Sequence, residues 1–430
     1  MAKPRPPLPG GPYAVVGLAR SGVAAALALR DLGEAVLGID AGSADDSALA
    51  DAAQRLSGAG VEVRLNAAGD AIPALIEART VIKSPGVPQS APVVVAARRR
   101  GIPVLGELEL AWRLLPNEFV AVTGTNGKTT TTEWIGHIHR EAGLTVAVAG
   151  NVGTAASSLV GEISTGTTVV CEASSFQLED AEAFAPEAAV LLNLEADHLD
   201  RHASFDEYAA AKLRIFANQD EGDIAVVPVG FSLPGRARTI RYGEGQEARL
   251  AGEIRLPGGH NRQNGMAAAA VCLARGIEPE AVAAGLRTFR GVAHRLETIA
   301  VLDSVRWVND SKATNVASTI VALRSFDAGV HLIAGGRGKG QDFTPLAPVV
   351  KESCAAVYLI GEAAPQLAEA LSASSVSLHE VGELERAVAE ARAAARAGET
   401  VLLSPACTSY DQYRDFEERG ERFRALVEGR

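Results

Sequence analysis

Aromatic residues occupy only 5% of this 430-residue chain, so its cores must be built from Ala, Val and Leu rather than from large rings. Cysteine is scarcer still. Cys171, Cys272, Cys354 and Cys407 lie far apart with no CxxC pair, which excludes a zinc spacing and a disulfide framework and fits a reducing cytoplasm. No apolar run approaches the roughly 18 residues that a membrane helix needs. The proline-rich stretch from Met1 to Pro12 has no apolar core, so no secretory signal is expected there. Positive charge is in deficit, with 41 basic against 52 acidic side chains and a net of −11. A field of that sign disfavours a nucleic-acid backbone as the main partner, while leaving room for a local cationic pocket for a small anion.

What is present is ordinary globular composition, 47% hydrophobic and 22% charged. At roughly 100–200 residues per domain the length implies two to four domains, with three central. Short β-rich runs alternate with Ala-rich helical stretches, the pattern of α/β folds with parallel sheets. Strands are predicted at Tyr13–Val16, Ala35–Ile39, Val61–Leu65 and Thr80–Lys83, with a helix from Val23 to Leu32 closed by Gly33. A second set follows at Phe119–Val122, Thr145–Ala149, Thr167–Cys171 and Ala188–Leu192. A third follows at Val305–Val308, Val330–Ala334, Ala355–Ile360 and Thr400–Leu403. Weak boundaries near Gly106 and Gly291 divide the chain into 1–107, 108–291 and 292–430.

The first βα turn reads Gly17-Leu18-Ala19-Arg20-Ser21-Gly22, and Asp40 ends the second strand eighteen residues later. This approaches the dinucleotide fingerprint, in which an acid about 20 residues on binds a ribose. The middle glycine is Ala19, however, whose methyl hinders close approach of a pyrophosphate. A plain tight turn and an anion-binding helix N-terminus both remain open.

The second set is sharper. Strand Phe119–Val122 runs into Gly124-Thr125-Asn126-Gly127-Lys128-Thr129-Thr130, then a helix with Trp134, Ile135, Ile138 and Ala142 on one stripe. Val122 stands where the strict Walker pattern has glycine, but the strand–loop–helix context is intact. Lys128 is placed for β/γ phosphates and Thr129 for Mg²⁺. Glu172, at the next strand end, is a candidate magnesium-site carboxylate, and Asp197-His198-Leu199-Asp200 follow a further one. Ser204 and Glu207 have capping-box spacing and start a helix. On it Lys212 shares a face with Phe205, Tyr208, Ala209, Ile215 and Phe216. Such a lysine either snorkels to water or is a desolvated amine of lowered pKa.

In the third set, strand ends lead into Asn309-Asp310-Ser311-Lys312-Ala313-Thr314-Asn315, Gly335–Gly340 with Arg337 and Lys339, and Ser404–Ser409 followed by Asp411 and Phe416. Together they predict a polar, partly cationic rim for substrate. Arg98-Arg99-Arg100 reads instead as a helix C-terminus complementing its dipole.

GTNGKTTT, CEASSFQLE with Ser174 in its ESS-like centre, NLEADHLDRH, AKLRIF, GGHNRQN, AHRLE and NDSKATN together resemble the Mur ligase family of cell-wall enzymes. The match runs through essentially the whole chain in order. The closing SPACTSYDQYRDFEERG is most similar to the family member that adds D-glutamate. The resemblance implies an N-terminal Rossmann-like domain for the uridine nucleotide, a central P-loop ATPase and a C-terminal Rossmann-like domain for the amino acid. It implies that ATP phosphorylates the carboxylate of UDP-N-acetylmuramoyl-L-alanine and that D-glutamate attacks the acyl phosphate. Gly124–Thr130, with Lys128 and Thr129, would serve the phosphates and the first Mg²⁺, partnered by Glu172. Asn264 would meet adenine, and Arg295 and Asp310 would be further ATP contacts. His198 and Lys212, the latter as a CO₂-derived carbamate, would hold a second Mg²⁺. Thr314, Lys339, Ser409 and Phe416 would frame D-glutamate. Asn151, Ser174, Asp40 and the Leu18-Ala19-Arg20-Ser21 turn would frame the nucleotide substrate. Ala41 and Gly42 follow Asp40 where several members carry an arginine near uracil. A cytoplasmic monomer with small-molecule substrates and no nucleic-acid or membrane partner is implied. A sibling ligase for another amino acid, the folylpolyglutamate type included, is the alternative, and the DNPR run of the diamino-acid sibling is missing. A nicotinamide dehydrogenase is disfavoured by Ala19 and by the phosphate loop further on.

Overall fold

The computed structural model describes residues 3–67, 77–151, 153–195, 197, 201–233, 235–243, 245–256, 258–338 and 340–429. They form two compact units, Met1–Phe289 and Arg290–Arg430.

The first unit holds two parallel sheets. Strands β1 (Tyr13–Val16), β2 (Val36–Ile39), β3 (Glu62–Arg64), β4 (Thr80–Lys83) and β5 (Val104–Gly106) lie in the order β3-β2-β1-β4-β5. Strands β6 (Phe119–Thr123), β7 (Val146–Gly150), β8 (Thr168–Glu172), β9 (Ala188–Leu191), β10 (Ile224–Pro228) and β11 (Arg238–Tyr242) lie in the order β11-β10-β9-β6-β8-β7. The second unit has one sheet of β12 (Glu297–Leu302), β13 (Val305–Asn309), β14 (Val330–Gly335), β15 (Cys354–Ile360), β16 (Ser377–Gly382) and β17 (Thr400–Leu403). Its order is β12-β13-β17-β14-β15-β16, with β12 alone antiparallel. Central parallel strands are covered on both faces and so read as continuous apolar runs. Every residue of β1, β4, β6, β9, β14 and β17 is buried.

The marked strands are present within one or two residues, and five more exist. Of these, β5, β11, β12 and β16 are edge strands, where one side faces solvent and the apolar signal weakens. The fifth, β10, is an interior IAVVP run as apolar as β9 beside it. The first helix spans Arg20–Asp31, starting three residues before the expected Val23, because its N-cap is Ala19 with no capping side chain to mark the start. The Arg98–Arg100 run closes the helix Pro92–Arg99, as its dipole favours.

The core is mostly Ala, Val and Leu, with Trp112 and Phe119 each packed edge to face on Phe184, at 5.8 and 6.2 Å, beside β6. The first two sheets are joined by buried polar bonds. Lys83, ending β4, pairs with Asp180 at 2.8 Å, the side chains 0% and 2% exposed. The Glu109 carboxylate accepts backbone N–H groups of Glu182, Ala183 and Phe184. Near Gly106 the chain makes no linker: that glycine ends β5 and caps the helix Glu107–Leu114.

Candidate active site

Strand β6 lies between β8 and β9, with Val122 opposite Glu172 and Thr123 opposite Leu191. The carboxyl ends of these three strands therefore meet, where parallel sheets bind ligands. The loop after β6 enters the helix Lys128–Glu141. Its backbone is laced to the segment after β9: Thr125 N donates to Asn193 O (3.0 Å) and Asn126 N to Asn193 Oδ1 (2.8 Å). Thr125 Oγ1 donates to Glu195 O at 3.1 Å and shares a hydrogen bond with Tyr208 Oη at 3.0 Å. Gly127 has φ +84, and a Cβ there would lie 2.3 Å from Asn264 Oδ1. The left-handed φ is what favours glycine here, since the Asn264 amide is a flexible side-chain end that gives way, and Asn264 is brought against the loop. Gly124, Thr129 and the buried Thr130 complete the turn into the helix.

Thr129 Oγ1 donates to Glu172 Oε2 at 2.7 Å, and Asn151 Nδ2 donates to Glu172 Oε1 at 3.1 Å. Both carboxylate oxygens are thus oriented, beside a hydroxyl and an amide. Lys128 Nζ folds onto Gly124 O (3.0 Å) and Thr125 O (2.9 Å). Ser174 caps the helix Ser175–Leu178 with a reciprocal capping box to Gln177.

Lys212 does not snorkel. It is 2% exposed, its Nζ donates to Gly124 O at 2.8 Å and lies 4.6 Å from the Tyr208 ring centroid. Burial pushes its ammonium down to about 7; Lys128 adds to the effect, while Asp197 and Glu172 oppose it. Its face differs in one place from expectation, because Phe205 is 40% exposed. Ser204 Oγ accepts Glu207 N, but the Glu207 carboxylate reaches back to Ala203 N rather than to Ser204. His198 lies outside the described residues. Among the described residues no cluster of three or more His, Cys, Asp or Glu is placed to hold a metal, so the oxygen donors here are Thr129 and Glu172.

At the first βα turn, Asp40 accepts Leu18 N (2.7 Å) and Gly42 N (2.8 Å), fastening the turn to β2. A Cβ on Gly22 would lie 1.8 Å from Gly17 O, so this glycine serves close packing of helix on strand. Ala19 and Arg20 are exposed and Ser21 is half-buried; Arg20 Nη1 donates to Gly153 O at 2.7 Å.

In the second unit β13, β17 and β14 are neighbours, so the loops carrying Asp310, Ser409 and Arg337 adjoin. Asp310 accepts Leu296 N and Ser404 Oγ, yet burial pushes its carboxyl up to about 7. Arg295 and Thr314 are half-buried and Ser409 is buried. Phe416 opens the helix Phe416–Glu428, with Lys312 Nζ 5.9 Å from its ring centroid. Lys339 lies outside the described residues. Sequence reasoning missed Arg419, which is 1% exposed and donates to Ser311, Gly335, Cys407 and Thr408. The available signal was its spacing: Arg419, Phe423 and Val427 form the buried stripe of one helix.

Three mostly parallel sheets, with polar groups gathered at strand ends, define an α/β protein of nucleotide-enzyme type. The Mur ligase middle domain matches residues 122–250, and the Mur ligase glutamate ligase domain matches residues 294–407. The UDP-N-acetylmuramoylalanine–D-glutamate ligase of Pelotomaculum thermopropionicum is 43% identical over 96% of both chains. That of Myxococcus xanthus is 41% identical over 98% of this chain and 99% of its own. Among solved structures, UDP-N-acetylmuramate-alanine ligase from Thermotoga maritima covers 97% of this chain and 99% of its own, at TM-score 0.58 and 19% identity, a likeness of fold. This chain belongs to the Mur ligase family.

Proposed function

We propose that this enzyme joins D-glutamate to UDP-N-acetylmuramoyl-L-alanine, converting ATP to ADP and phosphate, in a cytoplasmic step of peptidoglycan synthesis. The observation that carries this reading is the 43% identity to a D-glutamate ligase over 96% of both chains. Among the described residues no helix is long and apolar enough to cross a membrane.

Three domains are proposed: a Rossmann-like 1–107 for the uridine nucleotide, a P-loop 108–291 for ATP, and a Rossmann-like 292–430 for the amino acid, acting as a monomer. The residues at the β6, β8 and β9 ends suit ATP and Mg²⁺. A hydroxyl bonded to an oriented carboxylate is a hard-oxygen donor set, and the loop's left-handed φ at position 127 favours glycine. Bound there, Mg²⁺ would offset the charge that develops as phosphate oxygens and a carboxylate approach. Thr129 and Glu172 would hold one ion. His198 and Lys212, as a carbamate, would hold a second. Lys128 and the Gly124–Thr130 amides orient the phosphates; Asn264 takes adenine, and Arg295 and Asp310 are assigned to ATP from the family motif.

Leu18, Ala19, Arg20, Ser21, Asp40, Asn151 and Ser174 position the nucleotide substrate. Its L-alanyl carboxylate oxygen attacks the γ-phosphorus, and the bond to ADP breaks. Thr314, Lys339, Ser409 and Phe416 then hold D-glutamate so that its amine attacks the acyl carbon. The amide forms, phosphate leaves with the C–O bond pair, and the amine loses a proton.

The test is phosphate release from ATP with each amino acid in turn, with and without UDP-N-acetylmuramoyl-L-alanine. Release is expected only with that nucleotide and D-glutamate together. Fast turnover with neither present would overturn the ligase reading.

A further inference from the structure

Arg419 sits four residues into the helix Phe416–Glu428, almost fully buried. A guanidinium carries five N–H donors, and here each has an acceptor. Nε donates to Ser311 Oγ (3.0 Å); Nη1 donates to Gly335 O (3.4 Å) and Thr408 O (3.3 Å); Nη2 donates to Ser311 O (2.9 Å) and Cys407 O (3.1 Å). Those acceptors lie on the segments leaving β13, β14 and β17, the three adjacent strand ends where the sequence places a polar rim.

Two consequences follow. One side chain ties all three segments together, and only a planar five-donor fork can do so: an ammonium has three donors and no fixed plane. All five acceptors are neutral oxygens, so the hydrogen bonds solvate the charge without cancelling it. Asp411 acts on it electrostatically but is not among its hydrogen-bond acceptors. Burying a cation this way costs stability, a cost that suits a site needing positive potential.

We propose that Arg419 is the positioning residue of the amino-acid site, holding the Ser311, Gly335 and Thr408 segments in one arrangement and lending that rim the positive charge that favours a dicarboxylate amino acid. The inference rests on the D-glutamate reading above. It acts through the rim residues; Arg419 itself need not touch the substrate.

The experiment compares Arg419→Lys, Arg419→Gln and Ser311→Ala with the wild-type full chain, measuring thermal unfolding, kcat, and KM for D-glutamate, ATP and the nucleotide substrate separately. Loss of charge-assisted bonds predicts a D-glutamate KM raised about tenfold or more in both Arg419 variants, with the other two KM values within about twofold. Arg419→Lys keeps the charge and should retain more affinity than Arg419→Gln. Ser311→Ala removes the Nε acceptor together with the bond that Ser311 Oγ donates to Phe416 O at 2.8 Å, and should raise the D-glutamate KM about threefold, which tests the idea even if the Arg419 variants fail to fold. An unchanged D-glutamate KM in Ser311→Ala and the folded Arg419 variants would overturn the inference. So would a rise in all three KM values in step with lost thermal stability, the mark of a purely structural role. Wild-type turnover indifferent to D-glutamate would instead overturn the functional reading, and this inference with it.

Discussion

Lys128 and Lys212 donate to one acceptor, their Nζ atoms 3.0 and 2.8 Å from the carbonyl oxygen of Gly124. Two ammonium groups brought to one oxygen repel each other, and burial of Lys212 adds the larger cost, so its amine loses its proton far more readily than a surface lysine. An uncharged amine is the form that reacts with CO₂. The β6–β9 pairing with the Lys212 helix following brings the two amines together, and the packing that buries Lys212 completes that condition.

If Lys212 works as a carbamate, the useful group is an oxygen donor rather than a cation. Lys212→Ala and Lys212→Arg should both lose most of kcat while binding ATP nearly normally, and acetate at high concentration should partly restore Lys212→Ala. A ¹³C carbamate signal from labelled bicarbonate should grow as pH rises through about 7. Rescue by alkylamines but not by carboxylates would make the ammonium the working group.

The Thr129–Glu172 bond makes a prediction about metal dependence. Glu172→Gln and Thr129→Val should raise the Mg²⁺ concentration needed for half-maximal rate by about tenfold or more, since the first removes the carboxylate charge and one of its oxygens and the second removes the hydroxyl. Arg98→Ala, on a half-exposed helix end, should stay near wild type in the same titration. Equal losses would contradict the assignment.

Lys83 and Asp180 are a buried pair that joins the first two sheets. Lys83→Ala leaves the carboxylate without its ammonium and should cost about 3–5 kcal/mol by calorimetry or urea titration. Lys83→Met combined with Asp180→Leu should recover most of that loss, because the desolvation cost disappears with both charges. A loss under about 1 kcal/mol in the single variant would mean Asp180 is adequately held by Gln89 and by Arg98, whose Nη2 lies 3.7 Å away.

Asp310 gives a pH dependence with a definite sign. Its folded pKa of about 7 lies above the 3.8 of an unfolded aspartate, so between the two the folded state binds more protons. Its contribution to stability is complete below the lower value and is lost as pH rises through about 7. Asp310→Asn should flatten that fall in unfolding temperature between about pH 4 and 7. An unchanged slope would assign the pH response elsewhere.

Much of this was legible in the sequence, and for local reasons. The largely apolar runs that became β1, β4, β6, β9, β14 and β17 need no partner to be recognised, and neither does the glycine loop that leads from strand to helix. The edge strands β11, β12 and β16 were not legible, because their partly exposed residues lose the apolar contrast that marks a strand, and β5 offers only the three residues Val104–Gly106. The helix at Arg20 lacked a capping side chain to announce it.

The sequence by itself determined which chemical groups stand at strand ends, since a β-run followed by a polar loop is written in consecutive residues. Which strand ends adjoin was decided by the sheet order, β9-β6-β8 in one sheet and β13-β17-β14 in another. Side-chain packing settled the two ambiguous cations: Lys212 sits on an apolar face that allows either snorkelling or burial, and Arg419 on one that looks like ordinary helix patterning. Their fates depend on acceptors far away in sequence, Gly124 O for one and four residues of three segments for the other. A buried cation is held only where folding brings such oxygens together.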